Sequence, residues 1–186
     1  MTVGFALCGS FCTFEAVLPV VSQLAEQHDV IPILSAAASS IDSRFGSAGA
    51  HIAQLRDICK REPICTIEAA EPIGPKKLLD ILVVAPCTGN TLAKLAHSIA
   101  DTPVTMAVKS HLRNGRPVLV AISTNDALAG AAENIGRLLG RRHYYFVPFG
   151  QDDPEKKPHS IVADFRKIPA ALASALEGRQ LQPILL

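Results

Sequence analysis

The sequence predicts an α/β protein whose mostly parallel sheet is covered by helices on both faces. Three observations carry this. Short apolar runs of strand length alternate with segments of helical periodicity along the chain. The apolar runs are nearly continuous, as expected of strands buried on both faces. Small and polar residues cluster where each apolar run ends and the next helix begins, the punctuation of βαβ units.

The elements follow in order. Val3 to Cys8 reads as a strand broken by Gly9-Ser10, and Phe14 to Gln27 as a helix with apolar residues at 14, 17, 18, 21, 24 and 25. Asp29 to Leu34 is a second strand, followed by a small-residue loop, Ser35 to Ser40. Ala48 to Lys60 reads as a helix and Ile64 to Ile67 as a brief strand; Pro72, Gly74 and Pro75 then break the chain. Asp80 to Ala85 is the clearest buried strand, with helices at Thr91 to Ala100 and Thr105 to Asn114. Pro117 to Ile122 is a strand, Asp126 to Leu139 a helix, Tyr144 to Val147 a strand, and Ile168 to Glu177 the last helix. Residues 148–160 form a polar loop, read as a lid, a partner-binding loop or a solvated connector, and 161–186 a helical tail. The length predicts one domain over 1–186.

Composition excludes several function classes. Apolar residues make up 48% of the chain, enough for a large core, yet aromatics are 5% and Trp is absent, so aliphatic side chains must fill it. A net charge of +1 gives no footprint for nucleic acid or an anionic membrane. The five cysteines, at 8, 12, 59, 65 and 87, form no CxxC pair, which argues against a disulfide framework or structural zinc and for a reducing cytosol. The N-terminus lacks a basic n-region and reads as a strand rather than a signal peptide. No apolar run reaches the roughly 18 to 20 residues of a membrane helix.

In open α/β sheets ligands bind beyond the carboxyl ends of the strands. Four such ends are polar or small: Cys8 to Thr13, Ser35 to Ser40, Pro86 to Thr91 and Ser123 to Asp126. If the sheet is parallel, all four gather at one edge with free helix N–H groups, an arrangement suited to phosphate or carboxylate. Thr88, Asn90, Thr124 and Asn125 serve equally well as helix caps. The first loop has neither GxGxxG nor GK[ST], and the second strand ends without an acidic residue, so NAD is disfavoured and FMN fits better. Cys8, Cys12 and Cys87 are the thiol candidates; Cys87, the catalytic candidate, has no base nearby in sequence, and buried packing is the alternative. Histidines at 28, 51, 97, 111, 143 and 159 form no ligand pair, so no metal site is expected. Lys109, His111, Arg113 and Arg116 form a cationic patch, either a solvated helix end or a dicarboxylate site.

Two segments carry a family resemblance. "APCTGNTLAKLAHSIAD" resembles the motif of the flavin-binding decarboxylases that act on peptidyl-cysteine and phosphopantothenoylcysteine. The run from Cys87 to Leu139, with "YYFVPFGQDDPEKKPHSIVADF" after it, resembles the dipicolinate synthase B subunits within that superfamily. The resemblance implies a three-layer Rossmann-like flavoprotein fold. It implies FMN held by Gly9, Ser10, Thr13 and Ser35 at the phosphate, with Pro86, Cys87, Thr88, Gly89, Asn90 and Thr91 along the ring and substrate. It implies a partner A subunit carrying NAD(P), and oxidation of dihydrodipicolinate to dipicolinate (pyridine-2,6-dicarboxylate) in the cytoplasm of the mother cell during sporulation. A homo-oligomer is implied too. The decarboxylases' PxMNxxM segment aligns loosely with Ile122 to Leu128, where Asn125 remains but the Pro and both Met are missing. Their histidine has no counterpart in Glu68 to Ile73, so cysteine decarboxylation is not expected. Asn125, Arg113 and Lys109 become the candidates for the substrate carboxylates. A non-catalytic scaffold with QDDPEKKPHS as contact surface, and an independent FMN-dependent oxidoreductase, are the alternatives.

Overall fold

The computed structural model describes Met1–Leu186. Its strands are β1 (Thr2–Leu7), β2 (Asp29–Leu34), β3 (Ile81–Cys87), β4 (Val118–Thr124), β5 (Tyr144–Phe146), β6 (Phe149–Asp153) and β7 (Lys157–Ala163). The helices are α1 (Phe14–Ala25), α2 (Ala36–Ser40), α3 (Ala48–Cys59), α4 (Ile67–Ala70), α5 (Gly89–Ala96), α6 (Pro103–Leu112), α7 (Ala132–Leu139) and α8 (Ile168–Leu176). The parallel strands run in the order β2-β1-β3-β4-β5, and the β6–β7 hairpin joins antiparallel to the carboxyl end of β4 through Ser123↔Val162 and Thr124↔Ile161. Helices cover both faces, so the architecture is the three-layer α/β/α fold with a mostly parallel sheet. All seven residues of β3 are buried, which is why its sequence is apolar throughout rather than alternating.

Several elements differ from the sequence expectation, each for a local reason. The strand expected at Ile64 to Ile67 shrinks to one bridge: Ile64 exchanges hydrogen bonds with β2 (Leu34 N to Ile64 O 2.8 Å, Ile64 N to Pro32 O 2.9 Å), and then Thr66 caps α4. The Ser35 to Ser40 loop contains a helical turn, because Ser35 Oγ accepts from Ala38 N at 3.2 Å and caps α2. Helix α6 starts at Pro103, ahead of the expected Thr105, because Thr102 and Thr105 form a reciprocal capping box. Helix α7 begins only at Ala132. Ahead of it, Leu128 N donates to His159 O on β7 at 3.0 Å, which ties the segment to the hairpin instead of to a helix.

The largest correction concerns the C-terminal third. The polar loop at 148–160 is the β6–β7 hairpin, and the tail at 161–186 opens as strand before α8 and closes with Leu185 bridged to Phe149. The hairpin hangs beyond the main sheet, so only Phe149, Ser160, Ile161 and Ala163 of its strands are buried and its composition reads as loop.

Candidate functional site

The chain leaves β1 and crosses to β2 on one side; after β2 it returns to β3 on the other side of β1. That reversal is a topological switch point, and the loops leaving β1 and β3 there cannot cover each other, so a crevice forms. The cleft at this edge has a volume of about 980 Å³ and is lined by Gly9 to Thr13, Phe45, Thr88 to Asn90, Ser123 to Asp126 and, from the hairpin, Asp152, Lys157, Ser160 and Val162.

Hydroxyls build its wall. Ser10 Oγ and Ser123 Oγ lie 2.8 Å apart and tie the β1 loop to the end of β4. Thr13 Oγ1 donates to Ser10 O at 2.8 Å. Thr88 caps α5, its Oγ1 accepting from Thr91 N at 3.4 Å. Thr124 Oγ1 donates to Asp126 Oδ1 at 2.5 Å. Gly89 sits close to this pair: a Cβ there would lie 2.8 Å from both Asp126 Oδ1 and Thr124 Oγ1, so those side-chain ends would have to shift. The first N–H groups of α5, which have no intrahelical partners, start at this same corner. Asn90 and Asn125 are exposed at the rim.

Not every expected residue reaches the cleft. Gly9, Ser10, Thr13, Thr88, Gly89, Asn90 and Asn125 line it. Pro86, Cys87 and Thr91 stand behind the wall: Pro86 O accepts from Cys8 N at 3.2 Å, and Thr91 Oγ1 donates to Cys8 Sγ at 3.3 Å. Burial pushes the Cys8 thiol up to about 11 and the Cys87 thiol well above its ordinary value, with Cys8 adding to the second shift. A thiol that is fully buried and held protonated is not a nucleophile, so the expected catalytic role of Cys87 has no geometric footing. Ser35 is committed to capping α2; its loop meets the site only by packing Ala37 beneath Gly9, where a glycine Cβ would come within 3.1 Å of Ala37 Cβ.

Lys109 and Arg113 do not share a site with Asn125. The end of α6 leads through a five-residue turn into the start of β4, so both cations sit at the amino edge of the sheet, opposite the cleft. The neighbouring Arg116 confirms that placement by bonding Leu79 O and Asp80 Oδ1 just ahead of β3. His111, in the same patch, is buried and uncharged: burial lowers it to about 4. Phe11 and Asp126 lie in two of the four strand-end loops expected from the sequence; Phe45 was not singled out there, and Asp152, Lys157 and Ser160, read as part of a polar loop, reach the cleft from the hairpin. Lys157 Nζ pairs with Asp152 at 2.6 Å, and the carboxylate holds the ammonium above its usual range. No cluster of three or more His, Cys, Asp or Glu side chains could hold a metal ion, and no helix is long and apolar enough to cross a membrane.

A parallel sheet of order 2-1-3-4-5 with a hydroxyl-lined crevice at its switch point defines a doubly wound, flavodoxin-like binding protein. The flavoprotein family model matches residues 1–137, and the chain belongs to that family. It is 46% identical over 184 residues to the dipicolinate synthase B subunit of Bacillus subtilis (strain 168), covering 98% of this chain and 92% of that one. The crystal structure of the dipicolinate synthase B subunit from Bacillus halodurans C matches with a TM-score of 0.91 and 43% identity, over 100% of this chain and 95% of the other. Burkholderia xenovorans DmrB in complex with FMN, described as a cubic protein cage for redox transfer, matches with a TM-score of 0.71 and 20% identity over 95% of each chain, a likeness of fold.

Proposed function

We propose that the chain binds FMN in this cleft and acts with an NAD(P)-binding A subunit to oxidise dihydrodipicolinate to dipicolinate, in the mother-cell cytoplasm of a sporulating bacterium. The observation that carries the reading is the 46% identity to a dipicolinate synthase B subunit, taken together with a cleft of matching chemistry. The residues fit a flavin mononucleotide. The volume lies at the upper end of cofactor sites, about 300 to 1,000 Å³. The lining here is of neutral hydroxyls, Ser10, Thr13 and Ser123, beside a helix N-terminus whose free N–H groups suit a phosphate without a paired cation.

In this reading Ser10, Thr13 and the α5 N–H groups hold the phosphate, while Thr88, Asn90 and Asn125 orient the ring and the substrate beside it. When bound, FMN supplies a two-electron carrier between the dihydro ring and the partner's NAD(P). The chain's own part in this reading is positioning, and burial keeps the Cys8 and Cys87 thiols protonated behind the wall. A homo-oligomer accompanies this assignment. The test is to titrate the purified chain with FMN, following flavin fluorescence, and then to measure dipicolinate formation by the A subunit with and without it. FMN uptake and a requirement for this chain in turnover are expected. A chain that takes up no FMN and adds nothing to turnover overturns the reading.

One observation favours a second reading, a non-catalytic scaffold: the hairpin tip presents Glu155, Lys156 and His159 to solvent beyond the sheet. Replacing those three residues would then abolish co-purification with the A subunit and leave FMN binding unchanged.

A further inference from the structure

A dianionic substrate needs cations, and the two expected from the sequence stand at the wrong edge. Of the 18 lysines and arginines, only two line the cleft or the groove that opens from it: Lys157 and Arg44. The groove, about 630 Å³, runs between α1 and α3 and is lined by Phe14, Leu18, His51 and Ile58 among others. Phe11, Cys12 and Phe45 line both spaces, so they mark the rim where groove and cleft meet.

Arg44 is built into this rim. It is exposed, has no ion-pair partner, and holds its guanidinium 4.8 Å from the centroid of the Phe45 ring. The turn that carries it is fixed. Ser43 and Gly46 exchange backbone hydrogen bonds (3.0 and 3.1 Å), and Phe45 N donates to Ser43 Oγ at 3.1 Å. Gly46 takes φ +134°, and a Cβ there would strike His51 Nε2 at 2.8 Å, so the turn rests directly on His51. His51 in turn is braced edge-on against Phe14, with centroids 4.9 Å apart. On the other side, Lys157 lines the cleft from β7 together with Phe11, Cys12 and Phe45, its Nζ 2.6 Å from Asp152 Oδ2.

We propose that this rim seats a planar ring bearing two carboxylates, with Arg44 and Lys157 as its two anchors and Phe45 and Phe11 against the ring. Arg44 offers a guanidinium fork free for a bidentate carboxylate contact, and it lies over the Phe45 ring. Lys157 offers a point charge that a second carboxylate shares with Asp152. The two are specificity-determining residues, and the assignment rests on the dicarboxylate reading above.

The test uses the full chain loaded with FMN, in the presence of the A subunit. Binding of pyridine-2,6-dicarboxylate and of pyridine-2-carboxylate is measured by calorimetry for the native chain, Arg44→Ala, Arg44→Lys and Lys157→Ala. The expected result is a loss of about tenfold in affinity for the dicarboxylate in each alanine variant, partial recovery in Arg44→Lys, and near-equal binding of the two acids once one anchor is gone. In turnover, KM rises and kcat holds. FMN uptake, measured in the same samples, stays native. An Arg44→Ala variant that binds the dicarboxylate as tightly as the native chain overturns the assignment and leaves the oxidation reading standing. A native, FMN-loaded complex that binds no dicarboxylate overturns both.

Discussion

His111 makes the stability of this protein depend on pH in a calculable way. Its ring is fully buried in the last turn of α6. Nε2 lies 3.0 Å from Pro117 O and donates to it, while Nδ1 has no partner. Burial lowers the ring from 6.5 to about 4; the Pro117 bond opposes the shift, Arg116 adds to it, and Asp80 opposes it. The folded-state pKa therefore lies below the unfolded one. Above the unfolded value neither state holds the proton and the full stability is present. As pH falls from there towards about 4, the unfolded chain binds a proton that the native chain refuses, and stability drops by about 1.4 kcal/mol per unit. Between about pH 7.5 and 4.5 the loss from this one group comes to about 2.5 kcal/mol, against a total domain stability of about 5 to 15 kcal/mol.

The assay is guanidinium unfolding of the native chain and of His111→Gln across that range. Carboxylates titrate in both proteins, so the difference between them isolates the histidine. The variant is expected to be the less stable protein at neutral pH, through its altered packing, and to close the gap by about 2.5 kcal/mol on acidification. Parallel curves for the two proteins would refute the argument and place the ring in a solvated or charged state.

Three further outcomes follow from the site. Gly89→Ala pushes a methyl against Asp126 Oδ1 and Thr124 Oγ1; it breaks their mutual bond at a cost of about 1 kcal/mol in thermal or denaturant unfolding and weakens FMN binding about tenfold, whereas native FMN affinity would show that this corner is not part of the site. A thiol reagent labels Cys12 first and Cys65 next, and reaches Cys8, Cys59 and Cys87 only on unfolding; mass spectrometry of the labelled peptides checks the order, FMN slows the Cys12 reaction, and early labelling of Cys87 would contradict its burial. Arg113→Ala, at the edge opposite the cleft, leaves KM for dihydrodipicolinate unchanged in the proposed two-subunit enzyme.

The parallel core was legible because its signal is redundant. Strands buried on both faces must be apolar at every position, so β1, β3 and β4 read clearly as apolar runs, while their order comes from the structure alone. The hairpin gave no such signal. Its strands gain their order from backbone pairing with β4 and with each other, and a ladder that buries few side chains leaves no mark on composition. The start of α6 was readable in principle: Thr102 followed by Pro103 and Thr105 is a cap with its reciprocal partner, but the apolar periodicity alone pointed two residues downstream.

The site divides along the same line. Loop residues fixed by the fold's topology, such as Ser10, Thr88 and Asn125, could be assigned from their position after a strand, because every strand end in a parallel sheet faces one edge. Side chains that arrive from elsewhere could not. Lys109 and Arg113 looked like a carboxylate site because charge complementarity was weighed without direction. A helix that follows a parallel strand must return, and its last turn is carried to the far edge before the next strand begins. The cationic end of α6 was thereby excluded from the cleft by connectivity alone. Arg44 and Lys157 escaped for the opposite reason. Each lies on a segment whose reach, a tight turn braced on His51 and a hairpin extended from β4, is set by contacts distant in sequence. A polar segment that looks like solvent in one dimension can therefore supply the charge that a hydroxyl-lined cleft lacks.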